Sequence, residues 1–337
     1  MSIKKAAPDF ADVLIPASPK EGFLIKVEQV IDWQPIEKIL TKAYRRIHNA
    51  AGKPAYPVLP MFKAILLQRW YRLSDPGLEE ELYDRISFVR FCGFSMSGER
   101  PDETTLCRFR NALLKEGLYQ RLFKKLNQQL MAAGLIVQEG AIVDATLVAS
   151  QRHPQRALEL QPNEDEDASG PVARVVYSDD AEANWTIKMN KPHYGYKTHT
   201  SVDAREGFIL GGHVTPANRS DMKELEQVLE ESDLPDKTAV LADKGYASAE
   251  NRAMVKDKGF LDCIMWKAVK GKPLDEMEKE ANRAISALRA QVERCFGTLK
   301  RDYGFHRARY VGREKVELEF FLNAFCFNLK KAVRLAF

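Results

Sequence analysis

The chain has 337 residues, 51 lysines and arginines against 47 aspartates and glutamates, a formal charge of +4 and 45% hydrophobic residues, enough for about two domains and a substantial core. No apolar run approaches the ~20 residues of a membrane span, Phe320–Phe327 being too short, and the N-terminus carries no leader pattern. The five cysteines, Cys92, Cys107, Cys263, Cys295 and Cys326, form no C-x-x-C pair and read as reduced core thiols, so the expectation is a soluble, cytoplasmic protein with no membrane partner.

The first third reads as helical. Lys26–Val30, Pro35–Ile47 and Pro57–Arg72 show helical spacing, and Ser74-Asp75-Pro76-Gly77 breaks the chain before a short helix at Leu78–Ile86. Pro101-Asp102-Glu103-Thr104-Thr105 offers a cap for a helix through Leu114, and a further helix over Glu116–Ala133 ends at Gly134. Arg108, Arg110 and Asn111 on the later element give the region the look of a module that lays a helix in a DNA major groove, although solvated helix faces look alike.

The pattern then changes to short β-branched runs. Asp144 interrupts Ala141-Ile142-Val143-Asp144-Ala145-Thr146-Leu147-Val148, and Asp243 ends Thr238-Ala239-Val240-Leu241-Ala242. A buried strand tolerates an ionised carboxylate only when it is paired or holds a cation. For Asp144 alone, a strand-end acid bonded to backbone or arginine is the ordinary explanation. Asp243 is sharper, because Asp243-Lys244-Gly245-Tyr246 leaves the acid at a strand's C-terminal edge, where open α/β sheets place ligands.

Between the two acids, Tyr194–Asp203 and Gly207–Thr215 read as strands joined by Ala204-Arg205-Glu206-Gly207. A helix near Asp221–Ser232, the Asp243 strand, a helix near Ser248–Lys258, a strand at Leu261–Trp266 and a helix from about Pro273 to Tyr303, capped by Gly304, complete the series. Three strands, a helix, two strands and a helix is the order of a ribonuclease-H-like domain. The expected fold is therefore α/β: a mixed five-stranded sheet with helices over residues 136–337, preceded by a helical region over residues 1–135. The stretch Arg156–Ile187 carries two basic and eight acidic residues, a local charge of −6 that leaves +10 elsewhere. With its prolines and glycine it reads as an acidic mobile loop at about 151–187.

On the long last helix Ile285, Leu288, Val292, Phe296 and Leu299 form an apolar stripe. Arg289, Glu293, Gly297 and Lys300 form a second one beside it. An i,i+4 ion pair between Arg289 and Glu293 accounts for the spacing in the simplest way. Gly297, costly inside a helix, suggests close approach of something bulky. The C-terminal helix, Arg313 to Leu335, reads as core packing.

Taken together, Ile142-Val143-Asp144-Ala145-Thr146, Trp185, Lys188, Tyr194-Gly195-Tyr196-Lys197, His199, Ala242-Asp243-Lys244-Gly245-Tyr246 and Arg289…Glu293-Arg294…Phe296-Gly297…Lys300-Arg301 resemble the DDE transposases of bacterial insertion sequences, in the branch called insertion sequence family five. The spacing matches that family's Tyr-(2)-Arg-(3)-Glu-(6)-Lys signature except that Ser286 stands at the tyrosine position, removing a DNA-facing group without touching the acids. The resemblance implies that Asp144, Asp243 and Glu293 hold two Mg²⁺, for which Mn²⁺ can substitute, and that the enzyme cleaves element ends and joins the freed 3′-hydroxyl to target DNA. It also implies that Arg289, Lys300, Lys197, His199, Lys188 and Trp185 contact DNA, with Arg108 and Arg110 in a region that reads the terminal inverted repeats. Synapsis of two ends implies a homodimer on DNA, and no small-molecule substrate is expected. Two rivals share the sequence: a ribonuclease-H-like nuclease or resolvase that only hydrolyses, and an inactive transposase-derived DNA-binding regulator.

Overall fold

The computed structural model describes residues 21–47, 55–154, 156–161, 172–177, 180–269, 271 and 273–337. Among the described residues seven helices precede the sheet: α1 (Phe23–Val30), α2 (Gln34–Ile47), α3 (Val58–Trp70), α4 (Asp75–Asp84), α5 (Ile86–Cys92), α6 (Glu103–Lys115) and α7 (Leu118–Ala132). Their starts are chemical. Ser74 caps α4 by accepting from the Gly77 amide at 3.0 Å, and Asp102 caps α6 by accepting from Thr105 at 2.6 Å. Gly117, at φ +57°, supplies the left-handed residue that separates α6 from α7. Helix α3 is buried around its whole circumference, as its nearly unbroken apolar sequence demands.

The sheet follows. Its strands are β1 (Gly140–Ala149), β4 (Asn184–Lys188), β5 (Lys191–Asp203), β6 (Ile209–Pro216), β7 (Ala239–Ala242) and β8 (Leu261–Ile264). A separate two-stranded ladder joins β2 (Arg156–Gln161) to β3 (Val172–Tyr177). Strand β5 runs antiparallel to β1 on one side, and its other edge is shared by β4 along 191–195 and β6 along 196–202. Strands β7 and β8 continue from β1 in parallel. Helix α8 (Leu225–Ser232) precedes β7, and α9 (Ala249–Asp257) links β7 to β8. Then come α10 (Glu276–Asp302) and α11 (Arg313–Ala336). The order β6-β5-β1-β7-β8 with these directions is a ribonuclease-H-like sheet.

The sixth strand is a departure from the five expected. Strand β4 forms a hairpin with β5 through Met189 and Asn190, both at positive φ as a two-residue twisted turn requires. The expected loop at 151–187 accordingly contains the β2–β3 ladder and β4; its residues 162–171 lie outside the described residues. Asp180, one of that stretch's acids, is not solvated at all. It is 2% exposed, accepts hydrogen bonds from Ser150 and Tyr196, and holds the Tyr194 hydroxyl on its carbonyl at 2.8 Å.

Helix α11 packs against α1, α3 and α7 as well as β6, tying the N-terminal helices to the sheet. At that seam Arg69, 4% exposed, donates to Glu319 at 2.6 Å and to Asn323 at 2.8 Å. Helix α10 buries Ile285, Val292, Cys295, Phe296 and Leu299, whereas Leu288, expected on the same stripe, is 46% exposed.

Candidate active site

Side-chain alternation places the two strand acids. Ile142 pairs with Leu241, and both join the large core that includes the buried stripe of α10. Val143 pairs with Ala242, and both join a second core built with α8 and α9. The next residues are Asp144, still on β1 and turned by alternation to the α10 face where Arg289 meets it, and Asp243, which directly follows the last residue of β7. The parallel register ends at Val143 and Ala242, so the two acids come next on adjacent stretches of chain, near enough for the Asp243 charge to act on Asp144.

Each acid is half-buried and already bonded. Asp144 accepts the Ala145 amide on Oδ1 at 2.8 Å and Arg289 Nη2 on Oδ2 at 2.8 Å. Burial pushes its carboxyl above the usual carboxylate range. Arg289 and the Ala145 amide oppose the shift, and the neighbouring Asp243 charge reinforces it. Asp243 Oδ1 accepts the Gly245 amide at 2.7 Å, making it the cap of the one-turn 3₁₀ segment Lys244–Tyr246. Gly245 serves this turn by what it lacks: a Cβ there would stand 2.8 Å from Asp243 Oδ1.

Beneath the pair lies Tyr246, 1% exposed, whose hydroxyl has no hydrogen-bond partner. Burial, then Asp221, Asp144 and Asp243, holds that phenol well above its ordinary range.

The expected i,i+4 pair between Arg289 and Glu293 does not form, because Arg289 turns to Asp144 instead. Its Nε is buried without a partner. Glu293 is exposed one turn further along α10. Among the described residues no three His, Cys, Asp or Glu side chains come together as a metal-holding group. The two strand acids nevertheless suit a hard divalent cation: paired carboxylates, one with a raised pKa, are balanced locally by a single guanidinium. Gly297 meets open space rather than a bulky neighbour; a Cβ there would touch nothing within 4 Å.

Beyond Asp144 along β1, a cavity of about 420 Å³ is lined by Leu147, Lys188, Lys191, His193, Lys300 and His306 among others. Three residues of strand separate Leu147 from Asp144, about 10 Å. Desolvation, then repulsion from Lys188, lowers the Lys300 pKa, so this is a basic hollow short of anions. Trp185 stands on β4, 37% exposed, its ring 5.2 Å from that of Tyr194. Arg108 is exposed on α6. Lys197 is engaged by the Arg219 carbonyl at 2.7 Å and Asp221 at 2.9 Å.

Two expected DNA contacts are corrected. His199 is fully buried, bonded to Thr215 at 2.9 Å and stacked on His213, which is itself held by Glu224, so its ring is not presented to solvent. Arg110 is 5% exposed and grips both oxygens of Asp75 at 2.8 Å with the Tyr310 ring 4.8 Å away, fastening α6 to α4. Sequence reading missed Lys191 and His306. Lys191 could have been found from its place across the hairpin from Lys188, whereas His306 reaches the cavity through the turn after Gly304, which has no local signal.

No helix among the described residues is long and apolar enough to cross a membrane. Compared with known proteins, residues 137–329, more than half the chain, match the family model for the transposase DDE domain. Residues 12–112 match one described as transposase domain (DUF772). A crystal structure of the Mos1 strand transfer complex aligns over 91% of this chain and 88% of that one at 11% identity with a TM-score of 0.21, too low for anything to be carried across.

Proposed function

Because the chain belongs to the DDE transposase family, whose members act on DNA with divalent metal, we propose that it is the transposase of an insertion sequence of family five, cleaving the element's ends and joining them to target DNA. What supports the reading is the parallel pairing of Val143 with Ala242, which puts Asp144 and Asp243 next on adjacent stretches of chain, with Arg289 of α10 bonded to Asp144. Those two acids and Glu293 would hold two Mg²⁺ or Mn²⁺, which supply Lewis-acid stabilisation and a lowered pKa for the attacking hydroxyl in an in-line displacement.

The chain's own residues do the rest. Arg289, once released from Asp144, presents a guanidinium fork to a phosphate beside the scissile bond. Lys300 and Lys188 hold the strand's phosphates in the basic cavity, with Trp185 offering an aromatic face to a base and Lys197 fixing the Asp221 turn that backs Tyr246. The proposed division of labour gives residues 1–135 the terminal repeats, with Arg108 exposed toward DNA, and residues 136–337 the chemistry. A homodimer would assemble on two element ends, each protomer bringing one site.

The test offers pre-cleaved element ends, Mg²⁺ and supercoiled target. Joined product supports the transposase; nicking without joining assigns the same site to a nuclease. Asp243→Asn is expected to abolish both reactions while leaving DNA binding intact, and loss of binding as well would make Asp243 a structural acid.

A further inference from the structure

On another face of α10 a second cavity, of about 500 Å³, opens against the last turns of α11. Arg294 and Arg301 line it from α10, and Lys330, Lys331 and Arg334 from α11, against only Glu206 and Asp302. Asp302 is already engaged, by Arg301 at 2.9 Å and Lys330 at 4.0 Å. Arg294, Lys331 and Arg334 make no side-chain hydrogen bond or ion pair among the described residues; the Lys331 ammonium rests 5.7 Å from the Phe208 ring. Desolvation, then repulsion from Arg334, holds the Lys331 pKa below its ordinary value. Five cations gathered around two carboxylates leave a positive excess that raises the energy of the free protein, and an incoming anion relieves it.

At 100° per residue, Arg294 and Arg301 sit roughly 140° and 120° round the helix from Arg289. The helix barrel, about 10 Å across, therefore separates this groove from the basic cavity beside Asp144, and one set of phosphates does not fill both. The cations are also spread out: Arg294 and Arg301 lie about 10 Å apart along α10, and Lys330 and Arg334 about 6 Å apart along α11. A duplex, with one charge per ~1.7 Å of axis, meets such a spread, whereas a single small anion reaches only one end.

We infer that the groove between α10 and α11 binds the phosphate backbone of a second DNA duplex, separate from the strand that reaches Asp144. The inference rests on the transposase reading and deepens it: joining requires two DNA molecules on one protein, and this groove holds the flank of the second, whose own phosphodiester is broken when the element's 3′-hydroxyl attacks it.

The variant Arg294→Gln/Arg334→Gln changes two exposed side chains outside the proposed catalytic and end-binding residues. Binding of a duplex of about 20 base pairs lacking element sequence, measured by anisotropy without divalent metal over about 50–200 mM salt, is expected to lose about 1.8 from the slope of log K against log salt, two phosphates' worth. Joining to plasmid should fall tenfold or more, while cleavage of a short end oligonucleotide stays at the wild-type rate. Unchanged slope and joining would overturn the inference, as would a shift in sedimentation with no change in slope, which would make the groove a contact between protein copies. If wild-type protein neither cuts nor joins, the transposase reading fails on its own, and the salt slope still decides whether the groove binds DNA.

Discussion

Replacing Arg289 with methionine isolates the electrostatics of the candidate site. The pair it breaks is only 17% exposed at Arg289 and 19% at Asp144, so solvent screens it little. Losing a hydrogen bond to a charged group of this kind costs about 1.5–3 kcal/mol. Asp144 would keep only the Ala145 amide, and its carboxyl, already raised by burial with the guanidinium present, would rise further. A carboxyl whose folded pKa exceeds its unfolded one penalises the fold only when ionised. The penalty is absent below the unfolded value, grows as pH rises between the two values, and is complete above the folded one. Arg289→Met should therefore be destabilised by about 2 kcal/mol in urea at about pH 7 and by much less at about pH 4.5. Adding Asp144→Asn should return most of the loss at neutral pH, since the uncompensated charge is then gone. A loss within about 0.5 kcal/mol at neutral pH, an equal loss at both pH values, or no recovery in the double variant would refute the reasoning.

Arg69→Met leaves Glu319, 2% exposed, without its cation and should cost about 3–5 kcal/mol in urea unfolding, whereas Arg69→Met/Glu319→Leu should recover most of it. Gly245→Ala drives a Cβ against the Asp243 carboxylate, so nicking activity should drop at least tenfold while thermal stability moves by no more than about 1 kcal/mol. Burial pulls the His199 pKa down to about 3, so its ring should stay neutral through pH 5 in an NMR titration; burial lowers His213 as well, against the pull of Glu224. Their folded values lie below the unfolded one, so their contribution to stability is full above about pH 6.5 and is lost as the pH falls below it. His199→Gln should leave the salt slope of DNA binding unchanged, which a phosphate-contacting histidine would not.

The apolar runs before Asp144 and Asp243 were enough to put one acid within a strand and the other at a strand's C-terminal edge, because a buried strand reads as a short β-branched run. The helical spacing of α10 likewise identified its buried face through Val292, Phe296 and Leu299. The same spacing failed for Arg289, since an i,i+4 neighbour competes with anything the tertiary fold brings closer, and the fold brought Asp144. The expectation that His199 and Arg110 contact DNA comes from the family resemblance, and a motif match carries no information about burial in this fold. The β5 strand received neighbours on both sides, and α4 supplied Asp75 to Arg110.

Periodicity, capping residues and the placing of acids at strand ends are local properties, written in each segment's own covalent geometry, so the sequence alone determined the order of elements apart from β2, β3 and β4, the five shared strands of the sheet and the candidacy of Asp144 and Asp243. Tertiary structure alone decided which charges meet. It placed Arg289 on Asp144, left Glu293 outside their contact, buried His199 and Arg110, and gathered unpaired cations on two separate faces of α10. Those outcomes depend on contacts between separate elements, from 16 positions apart for His199 and Thr215 to 145 for Arg289 and Asp144, whose strength is set by distance and desolvation that no local pattern encodes.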